Sequence, residues 1–289
     1  MQRFHEVGIR PHSKYGQNFL IDLNLLNLLP EAAALTQNDV VLEIGTGTGS
    51  LTGVLAEQAA AVVTVEVDRQ MFQLASEELE QFENVTMLQL DALKNKNRLA
   101  PELMETVNGL LSAAPNRRLK LVANLPYNIA TPLISNLLQE DSPPQSMTVT
   151  VQKEVAERIV AQPGTKDYGA LSIWVQSQCK AEILRILPPS AFWPRPKVSS
   201  AFLHITLDET KRSQIPDRAF FHEFTRAMFF HRRKYLRSEL QSFCKDQLGK
   251  PEIDAMLAQL GLDGTIRAEQ LDVAAMLALC KAVQNALAN

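Results

Sequence analysis

The chain reads as an α/β protein, a doubly wound and mostly parallel sheet with an antiparallel edge, followed by a small all-α C-terminal domain. Three observations predict this. Short apolar runs alternate with amphipathic segments over the first two-thirds of the sequence, the pattern of right-handed βαβ units. A glycine-rich turn, Gly45-Thr46-Gly47-Thr48-Gly49, closes the first of these runs. Beyond a polar break at 208–217, which contains Pro216, only helical spacing remains.

Taken in order, Val40–Ile44, Val62–Val67, Thr86–Leu90, Leu119–Ala123 and Met147–Val151 are β-branched or apolar runs bounded by turn residues, and so predict strands. Between the second and third, Met71–Phe82 places Met71, Phe72, Leu74, Ala75, Leu79 and Phe82 at helical spacing. Ile183–Leu187 and Ala201–Leu207 are strand-like without a clear helix between them. Proline-rich 188–197 joins them, which suits an antiparallel edge pair. The remainder predicts helices over Phe220–Phe230, Tyr235–Leu248, Ile253–Leu260 and Gln270–Ala288. Gly249-Lys250-Pro251 and Gly261–Gly264 are the stops between them. The expected domains are 1–208 and 217–289.

Composition bounds the function. The 289 residues are 46% hydrophobic and 21% charged, ordinary for a globular chain, and no apolar stretch reaches the roughly 20 residues a membrane span needs. The start of the chain lacks an apolar signal region. Arg3, Arg10 and Lys14 are offset by Glu6, so a cytoplasmic home is expected. Cys179, Cys244 and Cys280 are odd in number and widely spaced, and the five histidines show no ligand spacing, so neither a disulfide framework nor a metal is expected. His204 alternates within a strand and reads as an ordinary strand residue. The net charge of −3 counts against nucleic acid, although distribution matters more than the sum.

The strand ends carry the chemistry, because open α/β sheets bind ligands at their carboxyl ends. The Gly45 loop lets the backbone turn sharply and approach a ligand closely. Its G-x-G-x-G spacing differs from the dinucleotide fingerprint and suits a nucleoside without phosphates, such as S-adenosylmethionine. Glu66 follows Gly45 by 21 residues, where a carboxylate can hold both ribose hydroxyls. Asp68 competes for that role but reads better as the cap of the next helix. Asp91 ends the third strand and can accept from an adenine amino group, a helix cap being the alternative. Asn124-Leu125-Pro126-Tyr127 ends the fourth. There the amide oxygen and a backbone carbonyl can accept from an exocyclic amino group while Tyr127 stacks on its ring. The alternative is a strand leaving through a proline turn, with Tyr127 as packing.

Together with Gln17-Asn18-Phe19-Leu20, these runs resemble, in order, the signature of the rRNA adenine dimethyltransferases. Gln152–Val155, Tyr168–Ser172, Phe192-x-Pro194-x-Pro196-Lys197-Val198-x-Ser200-Ala201 and Arg232-Arg233-Lys234 are similar to the bacterial small-subunit (16S) enzymes. The resemblance runs from about Pro11 to Ala278. It implies a Rossmann-like methyltransferase sheet and S-adenosylmethionine held by Asn18, Leu20, Gly45, Gly47, Glu66, Asp91 and Asn124, with Asn18 and Leu20 closing over its methionine part. It implies N6,N6-dimethylation of two adjacent adenosines near the 3′ end of 16S rRNA, in the 30S subunit or its precursor, by a monomer. Asn124, Leu125, Pro126, Tyr127 and Phe192 are the expected catalytic set, with Tyr127 and Phe192 stacking on the two faces of a flipped adenine. Trp193 competes with Phe192, and edge-strand packing is the plain alternative for both.

The stretch from Arg226 to Arg237 carries Arg226, Arg232, Arg233, Lys234 and Arg237 and no acid, with Phe229, Phe230 and Tyr235 interleaved. Such a run is often only a solvated face, yet it can track a phosphate backbone. With the resemblance, RNA contact by the helical domain is the expectation. The segment Lys94–Arg118 looks longer than usual for the family, as an inserted helix and loop. The alternatives within and beyond the fold are a 23S rRNA methyltransferase of macrolide-resistance type and a non-catalytic ribosome-assembly factor. A DNA adenine methyltransferase fits less well, for want of a target-recognition domain.

Overall fold

The computed structural model describes residues 16–245 and 247–288. The charges read at Arg3, Glu6, Arg10 and Lys14 lie outside the described residues.

A two-residue strand, β1 (Phe19–Leu20), precedes helix α1 (Leu23–Ala33), whose N-cap Asp22 accepts from the Asn24 and Leu25 amides. The alternation then runs β2 (Asp39–Ile44), α2 (Ser50–Gln58), β3 (Ala61–Val65), α3 (Arg69–Leu79) and β4 (Val85–Leu88). The long segment before the next strand is a small hairpin, β5 (Leu93–Asn95) and β6 (Arg98–Leu99), and helix α4 (Pro101–Ser112). Pro101 opens α4 where its missing N–H costs nothing. Next come β7 (Arg118–Asn124), α5 (Ala130–Leu137), β8 (Ser146–Gln152), α6 (Lys153–Val160), α7 (Ala170–Gln176), β9 (Cys179–Leu187), β10 (Phe192–Trp193) and β11 (Ser200–Leu207). The rest is helical: α8 (Glu209–Arg212), α9 (Arg218–Met228), α10 (Leu236–Phe243), α11 (Lys250–Gln259) and α12 (Val273–Ala288).

Seven strands form one sheet in the order β4-β3-β2-β7-β8-β11-β9. The first five run parallel, and β11 turns antiparallel against β8. All six residues of β2 are buried, as expected of a parallel strand covered on both faces. Chain order reverses between β2 and β7, which makes their carboxyl ends the switch point of the sheet.

The chain packs as two compact units. One holds the described residues up to Ala156 with Glu182–Thr206; the other holds Glu157–Ala181 with the described residues from Leu207 onward. The sequence boundary at 208–217 therefore misses one exchange: 157–181, carrying α7, packs with the helical unit. The reason is apolar. Trp174 of α7 is buried, with its ring centroid 6.2 Å from that of Phe221 on α9 and 4.6 Å from that of His222.

At the amino ends of the strands sits a buried charge. Asp39 at the start of β2 is fully buried and takes Lys120 Nζ at 3.0 Å and Arg118 at 3.1 Å, both from β7. Lys120 Nζ also donates to the Ala33 and Ala34 carbonyls at the end of α1, 2.9 Å each. One ammonium thus ties helix, β2 and β7 together. Thr36 N and Thr36 Oγ1 also donate to Asp39, at 2.7 and 3.0 Å. Removing the buried counter-charge is nevertheless costly, so Lys120→Met is expected to cost about 3–5 kcal/mol in urea unfolding. A loss below about 1 kcal/mol would show that Arg118 and the Thr36 donors satisfy Asp39 without it.

Candidate active site

One cleft gathers the strand ends of the first unit. Gly45, Gly47, Glu66, Asp91, Asn124, Leu125 and Pro126 line it, with Gly16, Gln17, Asn18 and Phe19 from the start of the chain. Val67, Ala92, Asn128 and Ile129 also line it. The sequence reading missed these last four, although each adjoins or nearly adjoins a residue it named.

The glycine loop is built as its spacing requires. Gly45, Gly47 and Gly49 all have positive φ, at 90°, 57° and 80°. A Cβ on Gly45 would lie 3.3 Å from the Pro126 ring, and one on Gly47 would lie 3.0 Å from the Phe19 ring. The loop is therefore closed from above by Pro126 and by the N-terminal segment. Backbone bonds from Gly45 N and Thr46 N to the Val65 carbonyl fasten it to β3.

Glu66 directly follows β3 and is 5% exposed. Its two oxygens accept from Gly47 N at 3.0 Å and Asp68 N at 2.9 Å, which fixes the carboxylate. Burial nevertheless pushes its carboxyl above the usual range, with the neighbouring Asp68 charge adding to the effect. Asp68 caps α3 by accepting from Gln70 N and Met71 N. Asp91 is exposed and accepts from Leu93 N at 2.9 Å. A hairpin follows it, so the helix-cap alternative lapses and its second oxygen remains for the cleft. Behind the loop, Glu43 is buried and accepts from Thr52 Oγ1 at 2.5 Å and Thr64 Oγ1 at 2.6 Å. Burial raises its carboxyl to about 7 despite these two donors, and the Glu66 charge helps.

Asn124 ends β7. Its Nδ2 donates to the Asn18 carbonyl at 2.8 Å, so its Oδ1 is the acceptor left for another donor. Leu125 N donates to the Thr150 carbonyl of β8, which fixes the turn that follows. Tyr127 is half-buried, does not line the cleft, and shares a short hydroxyl contact with Ser200 of β11. Burial raises its phenol above the usual value, so it stays neutral.

Besides Tyr127, two expected site residues lie outside the cleft lining. Leu20 packs on the apolar cluster beneath the sheet instead of lining the cleft. Phe192 is 3% exposed and belongs to the same cluster, with Leu26, Val41 and Leu55 among its members. Their shared cause is the β1–β10 ladder, which sets Leu20 opposite Phe192 and Phe19 opposite Trp193. In this arrangement the Phe192 ring is covered by that cluster. Trp193 is less buried and stacks on Phe19 at a centroid distance of 6.5 Å.

The helical unit changes the charge reading as well. Arg232 is held by Glu269 at 2.7 Å, and Arg237 is paired with Asp254. The five-residue positive run is thus partly neutralised by acids distant in sequence. Arg233 and Lys234 are exposed and make no ion pair among the described residues. Arg226 is exposed at the end of α9. Among the described residues no group of His, Cys, Asp and Glu is arranged to hold a metal, and no helix is long and apolar enough to cross a membrane.

Comparison with known proteins agrees with this geometry. The family model of ribosomal RNA adenine dimethylases matches residues 8–285. The chain is 40% identical over 279 residues to the ribosomal RNA small subunit methyltransferase A of Streptococcus gordonii, covering 96% of this chain and 93% of that protein. Among solved structures, it is similar to a dimethyladenosine transferase from Plasmodium falciparum, with a TM-score of 0.74 at 25% identity over 93% of this chain and 98% of that one. The 23S rRNA methyltransferase ErmE aligns with a TM-score of 0.61 at 20% identity, over 92% and 99% of the two chains, a likeness of fold alone.

The raised Glu43 carboxyl makes a pH test available. Its folded value lies above its unfolded one, so the stability it contributes is complete below about pH 4.5 and is lost as pH rises through about 7. Glu43→Gln keeps an acceptor for the two threonines. It is expected to stabilise the protein by about 2 kcal/mol more at about pH 8 than at about pH 5. Urea melts of both proteins at the two pH values measure this, and an effect independent of pH would refute it.

Proposed function

The chain belongs to the ribosomal RNA adenine dimethylase family, and on that premise we propose that it transfers methyl groups from S-adenosylmethionine to the N6 atoms of two adjacent adenosines near the 3′ end of 16S rRNA. The observation that carries the reading is the single cleft joining the Gly45 loop, Glu66, Asp91 and the Asn124 turn. Among the described residues lining it are two carboxylates and no lysine or arginine. Such a lining disfavours a pyrophosphate and suits a cation-bearing nucleoside.

The cofactor supplies an electrophilic methyl group on a positively charged sulfur. Gly45 and Gly47 leave room for close backbone approach. The Glu66 carboxylate would take the ribose hydroxyls, and Asp91 would take an amino group of the cofactor's base. Asn18 and Asn124, already joined to each other, wall the methionine end. On the acceptor side, Asn124 Oδ1 and the Leu125 carbonyl draw the two N6 hydrogens into hydrogen bonds. This turns the nitrogen lone pair out of conjugation and toward the methyl carbon. With the methyl group supplied there, the nitrogen would gain an N–C bond as the methyl leaves sulfur with the bonding pair remaining on sulfur, and the extra proton on nitrogen would pass to water. Positioning and electrostatics do the work, so no side-chain base is required. Tyr127 offers one ring for the flipped adenine. A second ring from Phe192 requires the β1–β10 ladder to part, whereas Trp193 requires less rearrangement.

In this reading the unit that holds the cleft acts as the catalytic domain and the helical unit, which includes 157–181, as the RNA-binding domain, in a cytoplasmic monomer engaging the 30S subunit or its precursor. Exposed Arg233, Lys234 and Arg226 carry the phosphate contacts more than Arg232 and Arg237, whose charges are already paired. The small-subunit name of the 40%-identical relative supports 16S over 23S rRNA. The intact cleft argues against a non-catalytic assembly factor.

Unmodified 30S and 50S particles incubated in parallel with labelled S-adenosylmethionine provide the test. Label is expected in 30S, and label confined to 50S would overturn the assignment. Asn124→Ala is expected to lower the methylation rate about 10²–10³-fold. Calorimetric affinity for S-adenosylmethionine should change far less; an active variant would sink the proposed role of the amide.

A further inference from the structure

The turn between α9 and α10 displays two large rings where burial would be the default. Phe230 is 78% exposed and Tyr235 is 53% exposed. Between them stand Arg233 and Lys234, exposed and outside every ion pair among the described residues. Beside Phe230 lies a groove walled by Phe220 and Phe243, whose ring centroids are 5.8 Å apart in an edge-to-face pair. Glu223 and Glu239 also line it. Glu239 is 3% exposed and faces His231 Nδ1 at 3.3 Å. Glu223 is exposed, and its carboxylate makes no hydrogen bond or ion pair among the described residues.

We propose that this groove binds one unpaired guanine of the RNA substrate, stacked on Phe230, with its N1–H and N2 amino hydrogens donated to the Glu223 carboxylate. The inference rests on the RNA-methylating reading and adds a base-specific contact to it.

Chemistry selects the occupant. An exposed aromatic ring beside unpaired cations is the arrangement that holds a base on its π-face and the adjoining phosphates on Arg233 and Lys234. The stacking surface alone accepts any base. The free carboxylate does not: guanine presents two adjacent donors on its Watson–Crick edge, which one carboxylate can accept together. Adenine presents an amino group beside a ring acceptor, and that acceptor is repelled by the same carboxylate. Charge complementarity supports RNA here over a basic protein side chain, because exposed Arg233 and Lys234, which follow Phe230 and His231 in the same turn, repel one.

The test uses the full chain and binding alone, so it does not depend on methyl transfer. Labelled oligouridines with a central guanosine, adenosine or uridine are titrated by fluorescence anisotropy at low salt. The guanosine oligomer is expected to bind the wild type about tenfold more tightly than the others. Phe230→Ala should weaken its binding about tenfold, and Phe230→Tyr should restore it. Glu223→Gln should abolish the preference for guanosine while leaving the oligouridine affinity unchanged. Phe230 and Glu223 are exposed, so neither change threatens the fold. Equal affinity of the wild type for all three oligomers would overturn the proposal, as would an unchanged affinity in Phe230→Ala. If Phe230→Ala impaired methylation of 30S particles without any oligomer preference in the wild type, the groove would serve a ribosomal protein, and the guanine assignment would fall. Failure of methylation with guanosine preference intact would instead count against the enzymatic reading.

Discussion

The hydrogen bond from Asn124 Nδ2 to the Asn18 carbonyl sets the orientation of the amide on which the rest of the site depends. It closes a loop of 106 residues at a distance of 2.8 Å and makes the amide oxygen the end that faces a donor. It forms only because the next three residues of the chain hold Asn18 in place. Phe19 and Leu20 pair with β10, Ile21 N donates to the Ala191 carbonyl, and the Phe19 ring rests against Gly47. The glycine at 47 therefore serves two surfaces at once. Its positive φ shapes the loop under the ligand, and its missing side chain admits the ring that carries the N-terminal segment.

Charge is distributed against the overall composition. The chain is mildly acidic, and three of its acids gather where the proposed ligand is a cation: Glu66 and Asp91 at the cleft and Glu43 behind the loop. Burial raises both glutamates, and the Glu66 charge raises Glu43 further by repulsion. A positively charged ligand would relieve that repulsion, so cofactor binding and local stability act in the same direction. The unpaired cations of the helical unit stand on an exposed turn, where screening leaves short-range phosphate contact as their main use.

The strands and their chemical ends were legible because backbone periodicity and strand-end residues are local signals. Val40–Ile44 and Leu119–Ala123 each fall within a residue of β2 and β7, and Asp68 caps its helix as its neighbours suggested. What stayed hidden depends on partners distant in the chain. That Leu20 and Phe192 are set opposite each other in a two-residue ladder is one such feature, because no local pattern reveals the pairing. Arg232 and Arg237 read as free because Glu269 and Asp254 lie in other helical segments. The transfer of 157–181 to the helical unit follows Trp174, whose partners Phe221 and His222 lie far onward in the chain. Chemistry was thus easier to read than docking, since the first sits on a ladder and the second on side-chain pairing.

Stability and chemistry are placed at opposite ends of the same strands. Lys120 and Asn124 are both on β7, four residues apart, which is about 13 Å along a strand. Lys120 binds Asp39 and the end of α1 at one end of the sheet, while Asn124 faces the cleft at the other. The buried charge can therefore be lost without moving the reacting atoms, provided the sheet stays folded. Glu43 is the exception, because it belongs to β2 yet feels the Glu66 charge directly. A substitution there alters the field under the glycine loop as well as the stability. The threonines that hold it are Thr52 on α2 and Thr64 on β3, and the Thr64 hydroxyl also meets that of Thr46, so packing of the sheet reaches the glycine loop there.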